Sequence, residues 1–243
     1  MMIWGFVIHL KWFLAISIFL IPVDATSENE DGEGCVRPQQ FDYLMLSVMN
    51  SGMEGSIQKP SSHSWTIHGL WPQIFKRQDY GYCCAPHQHE YLNPSDLSSI
   101  EALLKEFWPS KHDNDFGFWI HEWKRHGTCA QLTEYASKKH FFLKALKLYF
   151  ITNVDAALAK AGIKYNGIYS AQTILNALGN QLGVPPTLVC RNNVGSNQAI
   201  SEIRFCFDSK AMKRIACSNP IGTCYKTEQL FLAGNNFNRR SRM

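Results

Sequence analysis

Apolar and aromatic side chains crowd residues 41–49, FDYLMLSVM, and again 65–72, WTIHGLWP, with a polar Ser/Gly/Lys/Pro stretch between them. Short runs of this kind, bounded by loop residues, predict two strands, the second stopping at Pro72. Helical spacing then takes over. Ser95 or Asp96 caps a run carrying Leu97, Ile100, Leu104 and Phe107, which Pro109 ends. A second helix is expected over FWIHEWKRHGTC (118–129), and a third, long one from Glu134 to about Ala161. A fourth runs from Ser170 to Leu182 on Ile174, Leu175, Leu178 and Leu182, closed by Pro185-Pro186.

The last third alternates instead. In AISEIRFCFD (199–208), Ile203, Phe205 and Phe207 interleave with Glu202, Arg204 and Asp208, the pattern of a half-buried strand. A neighbour at 211–217 and the Asn219-Pro220 turn suggest a hairpin. Strands scattered among clustered helices predict an α+β fold, a central antiparallel sheet with helices packed on it. No long linker interrupts residues 35–235, so one domain is expected. No repeat of 20–50 residues is visible, which excludes solenoids and propellers.

The amino terminus departs from this pattern. Residues 1–25 hold an apolar run from Trp12 to Ile21 after Lys11, then Val23-Asp24-Ala25, a small-residue cleavage pattern. The run is too short to span a bilayer and reads as a secretory signal peptide. Domain bounds follow: signal 1–25, acidic leader 26–34, folded domain 35–234, basic tail 235–243. The destination is the extracellular space, or a vacuole reached by the same route, with no membrane attachment after signal removal.

Secretion changes how the eight cysteines read, at 35, 83, 84, 129, 190, 206, 217 and 224. In an oxidising compartment bridges are expected, and no C-x2-C pair marks a zinc site. The adjacent Cys83 and Cys84 each need a different distant partner. Net charge is +4, but that conceals an asymmetry. Setting aside Lys11, Asp24 and the leader acids Glu28, Glu30, Asp31 and Glu33 leaves 23 basic and 15 acidic residues, or +8. A basic body suits a polyanionic substrate, with a solvated basic face as the plainer alternative.

Chemistry concentrates in the two histidine segments. On a helix at ~100° per residue, with His121 at zero, Arg125 falls near ~40°, Glu122 near ~100° and His126 near ~140°. Four ionisable groups sharing one face would be costly to bury in a plain core, so a site is expected. The zinc-protease motif H-E-x-x-H needs histidines four apart, and here they are five apart. No G-x-S-x-G elbow supplies a serine nucleophile. Two imidazoles, a cation and a carboxylate suit acid–base phosphoryl transfer: one removes a hydroxyl proton, the other protonates the leaving oxygen. RNA carries its own nucleophile, the 2′-OH, so neither metal nor cofactor is required. Trp71 and Phe118, more than Trp65 and Trp119, are placed to stack splayed bases or else to fill core.

WTIHGLWP and FWIHEWKRHGTC, about fifty residues apart and in this order, resemble the two active-site segments of the ribonuclease T2 family. The resemblance runs from roughly Phe41 to Phe231. It implies a secreted, disulfide-stapled α+β endoribonuclease cleaving single-stranded RNA through a 2′,3′-cyclic phosphate without metal. It further implies His68 as general acid and His126 as general base, with Glu122 and Arg125 stabilising the transition state. His121 and Trp71 would hold phosphate, ribose and base, with Phe118 alongside. Bridges Cys84–Cys129, Cys190–Cys224 and Cys206–Cys217 are implied, leaving Cys35–Cys83. Two positions depart from the family pattern. Arg125 stands where lysine is usual, and SVMNSGMEGSIQKP (47–60) lacks the usual Gln-Trp-Pro segment. These departures motivate an alternative reading, a weakly active or non-catalytic secreted RNA-binding protein that keeps the fold.

Overall fold

Strand β1 (Tyr43–Asn50) is buried along its whole length, because it lies between β2 (Trp65–Gln73) and the long β5 (Asn197–Asp208). The computed structural model describes residues 41–53, 62–75, 82–83, 91–130, 137–194, 197–217, 222–224 and 229–235. The signal segment, the acidic leader, the basic tail beyond 235, Cys35 and Cys84 lie outside the described residues. One seven-stranded sheet runs β2-β1-β5-β7-β3, with β4 (Thr187–Val194) and β6 (Arg214–Ile215) also paired to β5. All of these ladders are antiparallel except that between β5 and β7 (Gln229–Leu232). Strand β3 (Gly167–Ser170) closes the other side through β7. The expected α+β architecture stands. β3, β4 and β7 come in addition, short or irregular in apolar pattern.

Pro72 does not stop β2. The strand continues to Gln73, with Pro72 opposite Leu44. Proline is tolerated there because β2 ends the strand order, so its missing N–H removes no bond from a central ladder.

Two helical expectations break into pieces. The run from Ser95 to Phe107 is α1 (Pro94–Leu97) and α2 (Glu101–Phe107), joined by a tight turn in which the Ile100 N–H donates to Leu97 O. The apolar face survives the break, with Leu97, Ile100 and Leu104 all buried. The long stretch is α4 (Lys138–Thr152) and α5 (Val154–Lys160). Asn153 separates them, with φ at 32°, and its side chain accepts from the Ala156 N–H to start α5. Asparagine tolerates this left-handed backbone better than most residues. Helix α6 (Ala171–Leu182) begins one residue later than read, with Ser170 as its cap accepting from the Thr173 N–H.

The sheet has two unlike faces. Leu44, Leu46, Val48, Ile67, Ile203, Phe205 and Phe207 pack with Phe141, Phe142, Ala145 and Leu146 of α4 into the main core. Tyr43, Met45, Trp71, Cys206 and Cys217 form a smaller cluster. Between and beside those residues lie Ser47, Glu202 and Arg204, all buried. This corrects the half-buried reading of β5. Its polar positions face inward because β5 is flanked by strands on both sides and its second face is covered as well. Among the described residues, no helix is long and apolar enough to cross a membrane.

Disulfides tie the margins. Cys190 bonds Cys224 and Cys206 bonds Cys217. Cys129 bonds Cys83, not Cys84, which overturns both Cys84–Cys129 and Cys35–Cys83. The local backbone explains the choice. The Cys83 N–H donates to Arg125 O at 2.7 Å, which sets the Cys83 side chain toward the helix end and buries it.

Candidate active site

His68 is fixed from behind by two tryptophans in series. The Trp108 indole donates to His68 O at 2.9 Å, and the Trp119 indole donates to Trp108 O at 2.9 Å. Trp119 and Trp65 are therefore core residues, each about fully buried. The Trp65 indole is engaged by the Tyr165 hydroxyl at 2.7 Å.

The second histidine segment is not one helix. Helix α3 (Asp115–Glu122) passes at Trp123 into a π turn, Trp123–Gly127, closed by the Thr128 N–H donating to Trp123 O. A π turn holds one extra residue per turn, and such bulges recur at functional sites. The five-residue spacing from His121 to His126, one too long for an ordinary helix turn, is what a π turn accommodates. Gly127 makes the packing feasible: a Cβ there would lie 2.2 Å from the Trp123 ring. His126 and Glu122 are buried, whereas His121 and Arg125 remain exposed.

Trp71 is the hub. Its ring lies 5.1 Å from the His68 ring and 5.4 Å from the His126 ring, so both imidazoles pack against one indole. The Trp71 N–H donates to Glu122 Oε2 at 3.1 Å. Gly69 allows that approach, since a Cβ there would meet Glu122 Oε2 and Trp71 Nε1, each at 2.2 Å. Buried and engaged on its edge, Trp71 is a wall of the site rather than a free stacking platform. Phe118 is only half-buried, with its ring roughly parallel to His68 at 6.3 Å. Phe118 is the more accessible of the two rings.

Burial pushes the Glu122 carboxyl up to about 8; Trp71's hydrogen bond opposes this, while the nearby Glu202 charge adds to it. Glu122 is thus protonated at neutral pH. Although its side chain reaches solvent, His121 is drawn downward by partial desolvation where its ring meets the site and by the positive charges of Arg125 and His68.

Three participants escaped sequence reasoning. Tyr82, next to the bridged Cys83, places its ring 5.4 Å from His126 and under the Arg125 guanidinium at 5.1 Å. Glu202 Oε1 lies 3.4 Å from His68 Nδ1. Arg204 binds Glu202 Oε2 through Nη2 at 2.7 Å and Nε at 3.1 Å, and its guanidinium covers Trp71 at 5.3 Å. The adjacency of Tyr82 to a cysteine was the one available signal. Glu202 and Arg204 gave none, because alternation on a strand reads as a solvent face.

Among the described residues, no group of three or more His, Cys, Asp or Glu is arranged to hold a metal ion. Two imidazoles and a protonated carboxyl around one indole, with the Arg125 guanidinium over Tyr82 beside His126, can move protons and stabilise added negative charge.

Similarity to known proteins identifies the family. The chain is 28% identical to ribonuclease T2-A of Mus musculus over 236 residues, covering 94% of this chain and 86% of that protein. It is 30% identical to ribonuclease 1 of Arabidopsis thaliana, with 82% and 86% covered. The crystal structure of human RNase T2 superposes with a TM-score of 0.68 at 25% identity, covering 80% of this chain and 99% of that one. RNase NT, solved with 5′-AMP, shares the fold at a TM-score of 0.67, 23% identity, and 81% and 100% coverage. With the family profile matching residues 39–217, and with both histidine segments meeting at Trp71, this endoribonuclease belongs to the Ribonuclease T2 family.

Proposed function

We propose that the enzyme cleaves single-stranded RNA by metal-independent transphosphorylation, forming a 2′,3′-cyclic phosphate. One observation carries this reading: His68 and His126, 58 residues apart in sequence, both lie against the same indole, so an acid and a base are gathered at one place. His126, buried beside Tyr82 and Trp71, takes the 2′-OH proton. The 2′-oxygen attacks phosphorus, the bond to the 5′-oxygen breaks, and His68 supplies the proton that this oxygen needs to leave. Extra charge on the pentacovalent phosphorus is met by the Arg125 guanidinium and by the protonated Glu122 carboxyl. His121 assists phosphate binding at the rim, while Phe118 stacks a base.

The body of the chain, at +8 without its leader, suits a polyanion. Bridged cysteines fit an oxidising compartment, so the destination is extracellular or vacuolar. The complete histidine set supports turnover over a binding-only role, in spite of Arg125.

The test is incubation of the purified protein with single-stranded RNA and excess chelator. Cyclic-phosphate-terminated fragments are expected. Cleavage that needs a metal, or that yields no cyclic phosphate, would sink the proposal. His126→Ala is expected to fold normally and to lose turnover by at least about 10²-fold, since it removes a proton-transfer group.

A further inference from the structure

Buried carboxylates with no part in the proposed chemistry are rare enough to call for a reason. Glu202, at the centre of β5, is such a group. Its two oxygens are used differently. Oε2 is saturated from inside the protein, by Arg204 Nη2 and Nε and by the Ser47 hydroxyl at 3.0 Å. Oε1 points the other way, toward His68 Nδ1 at 3.4 Å, with Arg191 Nη2 at 3.6 Å. His68 Nδ1 is itself buried and has no hydrogen-bond partner at standard distance. The imidazole needs to shift by only a few tenths of an ångström to close that gap.

We infer that Glu202 is a positioning residue for the reaction: it accepts the Nδ1 proton of His68 and so turns Nε2 toward the scissile phosphate. The inference rests on the role proposed for His68 above. When His68 gives its Nε2 proton to the departing 5′-oxygen, it remains as the neutral Nδ1–H tautomer. That tautomer is the one a fixed carboxylate behind the ring stabilises. Carboxylate rather than any polar group is required. Arg204 and Ser47 pin one oxygen, so the other must accept from His68, not donate to it. Glu202 is kept ionised for this purpose. Burial works against its charge, but the facing His68, the Arg191 charge and the Ser47 hydroxyl together hold its carboxyl below the ordinary range.

Glu202→Gln tests the inference because it keeps the shape. Arg204 can bond only to the amide oxygen, so the amide NH2 takes the place of Oε1 and faces His68. Nδ1 must then accept a hydrogen bond, which reverses the tautomer. With full-length, disulfide-intact protein and a ribodinucleotide substrate, kcat is expected to fall about 10- to 100-fold with KM nearly unchanged. Glu202→Asp is expected to recover part of kcat. Nitrogen-15 NMR of the histidine rings reads the tautomer without turnover: Nδ1–H for neutral His68 in wild type, Nε2–H in Glu202→Gln. A folded Glu202→Gln protein with wild-type kcat, or with His68 in an unchanged tautomer, would overturn the inference. If the wild type fails to cut RNA, the proposed function falls, and the NMR result still decides this inference by itself.

Discussion

Two glutamates lie within the same polar layer, both almost wholly buried, and their surroundings give them different charge states. Glu122 ends α3 where its visible polar partner is one indole N–H. Glu202 sits on β5 in a nest of Arg204, Ser47, Arg191 and His68. Burial alone favours the neutral acid in both places. What separates them is the number and sign of the groups aimed at each carboxyl. Glu122 keeps its proton at neutral pH, while Glu202 is held as a fixed anion.

The comparison breaks most severely at Arg204. Arg204→Met leaves the Glu202 carboxylate buried with its bidentate partner gone, and destabilisation of about 3–5 kcal/mol is expected. Chemical denaturation at neutral pH measures it. Glu122 supplies the contrasting case. Its folded pKa of about 8 exceeds the ordinary 4.5, so unfolding releases its proton anywhere between those values. Its contribution therefore makes stability fall as pH rises from about 4.5 to about 8. Glu122→Gln is expected to flatten that decline, read as melting temperature against pH. Glu202 works with the opposite sign: its contribution is present above its unfolded pKa and lost as pH falls through the lowered folded one. The smallest effect is expected at Trp71. Trp71→Phe removes the hydrogen bond that favours the Glu122 carboxylate, so Glu122 should ionise at still higher pH, with about 1–3 kcal/mol of stability lost. Carboxyl titration followed by NMR distinguishes these last two variants.

How much of this was legible beforehand depends on which force set each feature. β1 and β2 were visible as short apolar runs bounded by loop residues, and β5 and α6 because an apolar face repeats with the period of the backbone. The histidine segments were visible because four ionisable groups in so short a span have no place in an ordinary core. The π turn was not, since residues 123–127 satisfy either helical bond pattern and the choice is made by packing of Trp123 against Gly127. Nor was the side of the Cys83-Cys84 pair that reaches Cys129, which a single backbone hydrogen bond decides. Glu202 and Arg204 misled for a related reason. Alternation reports two faces on a strand, but not whether the second face meets water.

Gly69 gives this arrangement an evolutionary weak point. The acid and the indole meet through the space a side chain would occupy, between His68 and Trp71 in sequence. A single methyl group added there forces the pair apart while every acid–base side chain keeps its identity. An inventory of catalytic groups would therefore read as intact in a chain whose acid and indole no longer meet.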